Sequence, residues 1–286
     1  MLEAEDLFSL DALLWLQSGK RAGQLLGANQ STISRRSRQC LERLGLSLEH
    51  CAPCPPHDPM QALLLMERQL HQLHRLRGGA PLRLLANFWV RRHLLPCLPP
   101  GWMTPDPDPV RPHADPLGLL EARIVDAALL SGPEVRDLDR RRWRVVDLSA
   151  LPLQILVPSG HRLARERGLG PADLAILDPL TFSVIVPQPV RQAMAVLHGH
   201  LGARTALATV SPVPAPDPPC MATAFTRHLW PGYVPLDVTL PIRASDHLVV
   251  LAELPWEARL DHLLEHFRLQ LQQLRAAAPE LVCLCR

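Results

Sequence analysis

The sequence predicts an α+β chain of more than one domain: an N-terminal helix-turn-helix, a long linker helix, and an α/β domain in two parts. Three observations carry the prediction. Residues 6–48 contain no proline and repeat apolar positions at helical spacing. Residues 52–59 hold four prolines, and an uninterrupted helical pattern then runs over 60–77 until Gly78-Gly79. Beyond Pro81 short apolar runs alternate with helical ones.

Each N-terminal element has its own signal. Leu7, Leu10, Leu13 and Leu14 share one face of a first helix over Asp6–Gln17, stopped by Ser18-Gly19. Lys20–Leu26 forms a short second helix, with Gly27 placed to close it in the left-handed conformation. Asn29 then caps a third helix from Gln30 to about Leu44, closed by Gly45. A helix, a glycine-containing turn of three residues and a capped helix have the spacing of a DNA-reading helix-turn-helix. The third helix opens with Gln30, Ser31, Thr32, Ser34, Arg35 and Arg36, all donors to bases or phosphates, while Ile33 turns inward. Arg38 and Lys20 add charge. Residues 18–45 carry six basic side chains against Glu42, whereas the whole chain carries only +2.

In the linker, Leu63, Met66, Leu70, Leu73 and Arg77 recur near a 3,4 spacing. Pro-rich stretches at 96–116 and 212–219 read as loops. Residues 256–278 read as an amphipathic helix carrying Leu260, Leu263, Leu264, Phe267, Leu271 and Leu274.

Composition excludes several classes. With 47% apolar and 20% charged residues in 286, the chain can bury a core. No run of 18 apolar residues exists, which excludes a membrane-spanning helix. The opening is acidic where a signal peptide is basic, so a cytoplasmic protein with free thiols is expected. Lys20 is the one lysine among 30 basic residues, and Pro also reaches 30, near twice the usual share of roughly 5%. That bias is chain-wide, so arginine abundance by itself argues nothing. No nucleophile-elbow, P-loop or dinucleotide glycine pattern occurs, and an enzyme is not expected. His262 and His266 stand at i, i+4 with Glu265 beside the wrong histidine for a zinc protease, and His71 and His74 stand at i, i+3 without a third ligand, so both pairs read as solvated faces. No cofactor or metal is assigned.

In order along the chain, residues 28–36 ending in Leu44-Gly45 resemble the recognition-helix segment of LysR-type transcriptional regulators. The helix at 60–77 resembles that family's dimerising linker. Leu82–Asn87 followed by Arg92–Pro96 is similar to the opening strand and helix of its effector domain. Residues 119–129 are similar to a later strand, and residues 153–164 with Pro171–Ala175 to the start of the second subdomain. The family's wing segment is replaced by Leu46–Glu49 and the Pro-Cys stretch, and the short segment between Pro96 and Leu117 points to a missing effector-domain strand.

The resemblance implies a DNA-binding domain over 1–57, a dimerisation helix over 58–79 and a periplasmic-binding-protein-like effector domain over 80–286. Subdomain I would comprise about 80–149 and 236–286, and subdomain II about 150–235. It further implies a dimer or tetramer on double-stranded DNA, with an unidentified small molecule bound between the subdomains. DNA contacts fall to Gln30, Ser31, Thr32, Ser34, Arg35, Arg36, Arg38 and Lys20. Effector contacts fall to Asn87, Trp89, Ser131, Gly132, Thr181 and Phe182, with Asn87 as a helix cap. Two alternatives stay open: a small-molecule-binding or oligomerisation protein of the same fold without specific DNA binding, and a thiol or metal sensor using Cys51 and Cys54. Cys283 and Cys285, near the end of the sequence, are expected to fray.

Overall fold

The computed structural model describes residues 2–51, 59–96, 98–106, 115–174, 219–240 and 242–285. The first three helices are α1 (Ala4–Leu16), α2 (Gly19–Leu26) and α3 (Gln30–Leu44). Gly27 and Gly45 end α2 and α3 at φ 60° and 62°, the left-handed stop that favours glycine. Asn29 occupies the cap position of α3, but its side chain makes no capping hydrogen bond. Ser18 caps α2 instead, its hydroxyl accepting from the Arg21 amide at 3.4 Å. Gly23 holds the turn together. A Cβ there would stand 2.5 Å from the Ala28 carbonyl oxygen, so only glycine lets α2 lie this close to the turn.

Helix α4 runs from Pro59 to Leu76. Its inward face is largely polar, consisting of Leu64, Arg68, Gln72, Arg75 and Leu76. The stripe read from the sequence looks the other way: Leu63, Met66, Leu70 and Leu73 are 41%, 65%, 52% and 40% exposed.

A six-stranded sheet follows in the order β2-β1-β3-β8-β4-β9, comprising β1 (Leu82–Ala86), β2 (Trp102–Met103), β3 (Ala127–Ser131), β4 (Trp143–Pro152), β8 (Arg243–Leu251) and β9 (Val282–Cys283). β1 is parallel to β2 and β3, while β8 runs antiparallel to both β3 and β4. All five residues of β1 are buried, as in a sheet covered on both faces. A three-stranded sheet, β6-β5-β7, is built from β5 (Gln154–Pro158), β6 (Cys220–Ala222) and β7 (Tyr233–Pro235). The chain passes between the sheets after Pro152 and again before Arg243. Short helices α5 (Pro116–Glu121), α6 (Gly132–Val135) and α7 (Pro171–Leu174) punctuate the strands. Helix α8 (Ala258–Leu274) buries Leu260, Leu263, Phe267 and Leu271, the face its spacing predicts.

Three expectations are corrected. The helix after Asn87 is a single 3-10 turn, Phe88–Val90, followed by irregular turns; its side chains are recruited elsewhere, with Val90 and Leu94 in the core and His93 bonded to Asp246. The segment after Pro96 keeps its strand, shortened by the surrounding prolines to Trp102–Met103 of β2. The chain near Cys283 is tied into the sheet, because Cys283 pairs with Ser149 and the Leu284 amide donates to the Leu148 carbonyl at 2.9 Å.

One apolar core runs unbroken from the helix-turn-helix into the large sheet. Trp15, Ala22 and Ile33 belong to the same cluster as Leu76, Leu82, Leu129 and Phe267. A smaller core joins α1, α3 and α4 through Leu7, Leu10, Cys40, Leu44 and Leu64. Ile155, Val157, Leu163, Leu174, Leu236 and Leu240 form the core of the small sheet.

Candidate functional site

The first site is the outer face of α3. Ile33, Ser37, Cys40 and Leu44 point inward at helical spacing, which turns the intervening positions outward. Gln30, Ser31, Ser34, Arg35 and Arg38 are exposed, and Thr32 is half-buried beside them. Arg35 and Arg38 meet no carboxylate among the described residues. Arg36 is set apart: it is half-buried and ion-paired with Glu5 of α1, which removes it from the free face. Gln30 lies across the start of α2, where a Cβ on Gly19 would stand 3.0 Å from its Cγ. Lys20, the next residue of α2, is exposed. The N-terminus of α3 and the N-terminus of α2 therefore share one edge, formed of amide, hydroxyl and cationic groups. That is the chemistry that meets phosphates and base edges.

This unit is fixed to the rest of the chain by buried charge. Asp11 of α1 accepts from Arg68 of α4 at 2.8 Å and from Arg83 of β1 at 2.7 Å. Arg83 also lies over the Phe8 ring, 4.0 Å from its centroid, and its amide donates to Asp126 at 2.8 Å. Asp126 takes both Nε and Nη2 of Arg75, at 2.9 and 2.8 Å, and the Gln72 amide at 3.0 Å. Arg123 extends the network from Gln72 to Glu253. Sequence reading missed these residues. Their signal was available, since Arg68, Gln72 and Arg75 interrupt an apolar helix at core spacing.

The second site lies at the strand ends of the large sheet. Asn87 is buried directly after β1. Ser131 ends β3, and both its amide and hydroxyl donate to Glu134, at 2.8 and 2.7 Å. Gly132 lies close under Ser245: a Cβ there would stand 2.4 Å from the Ser245 hydroxyl and force it to turn away. Ser245 bonds His247 Nε2 at 2.8 Å, and His247 Nδ1 meets Asp147 at 2.8 Å. On the other face of β8, Asp246 accepts from Ser149 at 2.6 Å and contacts His93 Nε2 at 2.8 Å. Burial works to raise the Asp246 carboxyl, but the charge and hydrogen bond of His93, with the Ser149 bond, outweigh it and hold it below the usual aspartate range.

Phe225, which follows the small sheet's β6, stacks on His93 with ring centroids 4.8 Å apart, so the two sheets meet over this polar cluster. Trp89 packs against the main core. Thr181 and Phe182 lie outside the described residues. The polar run Ser245-Asp246-His247 opening an apolar strand was the sequence signal for this cluster.

The cysteine pattern gains no support. Cys51 is buried, its thiol pushed up by that burial, and Cys54 lies outside the described residues. No group of three or more His, Cys, Asp or Glu side chains among the described residues is placed to hold a metal ion. Nor is any described helix long and apolar enough to cross a membrane.

A helix-turn-helix, the long helix α4 and two joined sheets together define an architecture found in solved proteins. The chain is similar over its length to HinK, a LysR-family transcriptional regulator from Pseudomonas aeruginosa, at 18% identity, covering 94% of this chain and 99% of that one with a TM-score of 0.52. CbnR in complex with its target DNA matches at 15% identity over 94% and 99% of the two chains, TM-score 0.51. A hydrogen-peroxide-bound mutant of OxyR from Corynebacterium glutamicum matches at 14% identity over 98% and 95%, TM-score 0.52. No family model matches the sequence, and no curated protein sequence matches it significantly. At these identities the likeness shows the fold alone, shared over 94% of this chain with a protein described as a LysR-family regulator.

Proposed function

We propose that the chain is a DNA-binding transcriptional regulator of LysR type. The observation that carries the reading is the exposed face of α3, Gln30, Ser31, Ser34, Arg35 and Arg38, on a helix-turn-helix within that fold. In this reading α3 enters the major groove. Arg35 and Gln30 contact base edges there, while Ser31, Thr32, Arg38 and Lys20 hold phosphates. The division is residues 1–57 for reading, 58–79 for pairing and 80–286 for sensing.

A second copy covers the apolar stripe of α4, because four exposed large side chains at helical spacing are what a paired helix buries. Two α3 helices then stand about 34 Å apart on a pseudo-palindromic site. A small molecule bound between the sheets, against Asn87, Ser131, Gly132 and the Ser245–His247 pair, shifts the balance between two arrangements of the oligomer. The test is fluorescence anisotropy with a labelled fragment from the protein's own upstream region. Wild type binds it, and Arg35→Glu loses binding at least tenfold. Equal affinity of the two proteins would overturn the reading.

A further inference from the structure

The edge shared by α2 and α3 does not stop at the helix-turn-helix. Arg21, in the first turn of α2 beside Lys20, donates from Nη2 to the Asp106 carbonyl oxygen at 2.8 Å. Asp106 follows β2, and its carboxylate meets Nη2 of Arg91 at 3.4 Å. Arg91 and Arg92 stand together in the turn after β1, both exposed, within the α/β domain. Side-chain contacts thus link Arg21 of α2 to Asp106 and Asp106 to Arg91, and Gln30 of α3 lies close to Gly19 at the start of the same α2.

We propose that Arg91 and Arg92 are DNA phosphate contacts, so that the α/β domain itself extends the footprint of the helix-turn-helix within one chain. The inference rests on the DNA-binding reading above. In a helix-turn-helix the helix before the recognition helix crosses the phosphate backbone, and here that helix is joined to Arg91 through Arg21 and Asp106. The Arg91–Asp106 pair does not oppose this. The two side chains are 58% and 85% exposed, and a solvated pair of this kind exchanges readily for a phosphate oxygen. The buried Asp11–Arg83 pair fixes the helix-turn-helix against β1, and Arg91 follows that strand, so the Arg21–Asp106–Arg91 relay stands on a fixed base. Asp106 has the opposite effect, placing a negative charge where the backbone passes.

The experiment measures affinity for the upstream fragment and for a scrambled fragment of equal length across a salt series. Each lost phosphate contact lowers the slope of log K against log salt by about 0.9. The variant Arg91→Ala with Arg92→Ala is expected to flatten the slope by about two and to leave the ratio between the fragments unchanged. Asp106→Asn keeps its backbone carbonyl for Arg21 and is expected to bind more tightly. A double variant with the wild-type slope, or an Asp106→Asn variant no tighter than wild type, overturns the inference while the DNA reading stands. Wild type that binds neither fragment overturns both.

Discussion

Asp11 of α1 accepts a hydrogen bond from Arg83 of β1 at 2.7 Å, and both side chains are almost wholly buried. The pair joins the first helix of the helix-turn-helix to the first strand of the α/β domain. Since Arg83 bonds Asp126 through its amide, and Asp126 holds Arg75 and Gln72 of α4, three parts of the chain meet on two carboxylates. A buried carboxylate stripped of one cation is costly, whereas an apolar replacement of the whole group is often neutral. Asp11→Ala, which strands Arg68 and Arg83, should lose about 3–5 kcal/mol in urea unfolding. The triple variant Asp11→Leu, Arg68→Met, Arg83→Met should recover much of that loss.

Gly23 should be the least replaceable residue of the turn. Alanine there meets the Ala28 carbonyl oxygen at 2.5 Å, and the backbone on both sides of the turn must move. Gly23→Ala is expected to cost about 1–3 kcal/mol and to lower DNA affinity, because α3 tilts out of register with α2. Gly27→Ala has open space around it and pays only for its φ of 60°, about 1 kcal/mol. Thermal melts and anisotropy on the two variants separate the cases.

Met66→Glu with Leu70→Glu places charge on side chains that the single chain leaves in water, so the monomer fold should be unaffected. Light scattering after size exclusion should then show wild type at twice the monomer mass or more and the variant as monomer. A wild type that is already monomeric would contradict pairing through this face.

Asp246 should confer acid-sensitive stability. Its native pKa is depressed, so its contribution is fully present above the ordinary aspartate value and fades as pH falls through the lower native one. Asp246→Asn should therefore be less stable than wild type at pH 7, by about 1.5–3 kcal/mol. The difference should shrink steadily below about pH 4. Urea titrations at several pH values give the curve, and a difference that stays constant down to pH 2 would assign the residue a role in shape alone.

The elements legible in the sequence were those whose signals are local. Gly27 and Gly45 announced two helix ends, Ile33 the inward face of α3, and Leu260, Leu263, Phe267 and Leu271 the buried face of α8. What escaped depends on distant partners. Arg36 resembles its neighbour Arg35 in sequence, and only the position of Glu5 separates them. His93 would suit a helix after β1, yet Asp246, 153 residues away, draws it into the polar cluster and the helix dissolves into turns. Asp11 looks like a solvated helix residue until Arg68 and Arg83 arrive from two other elements.

The most direct test of the account is the ratio of affinities of the full-length protein for its own upstream fragment and for a scrambled fragment of the same length, at physiological salt. A ratio of about a thousand or more is expected, with a salt slope set by several phosphate contacts. Equal affinities for the two fragments would contradict it, leaving a regulator's fold without a regulator's reading.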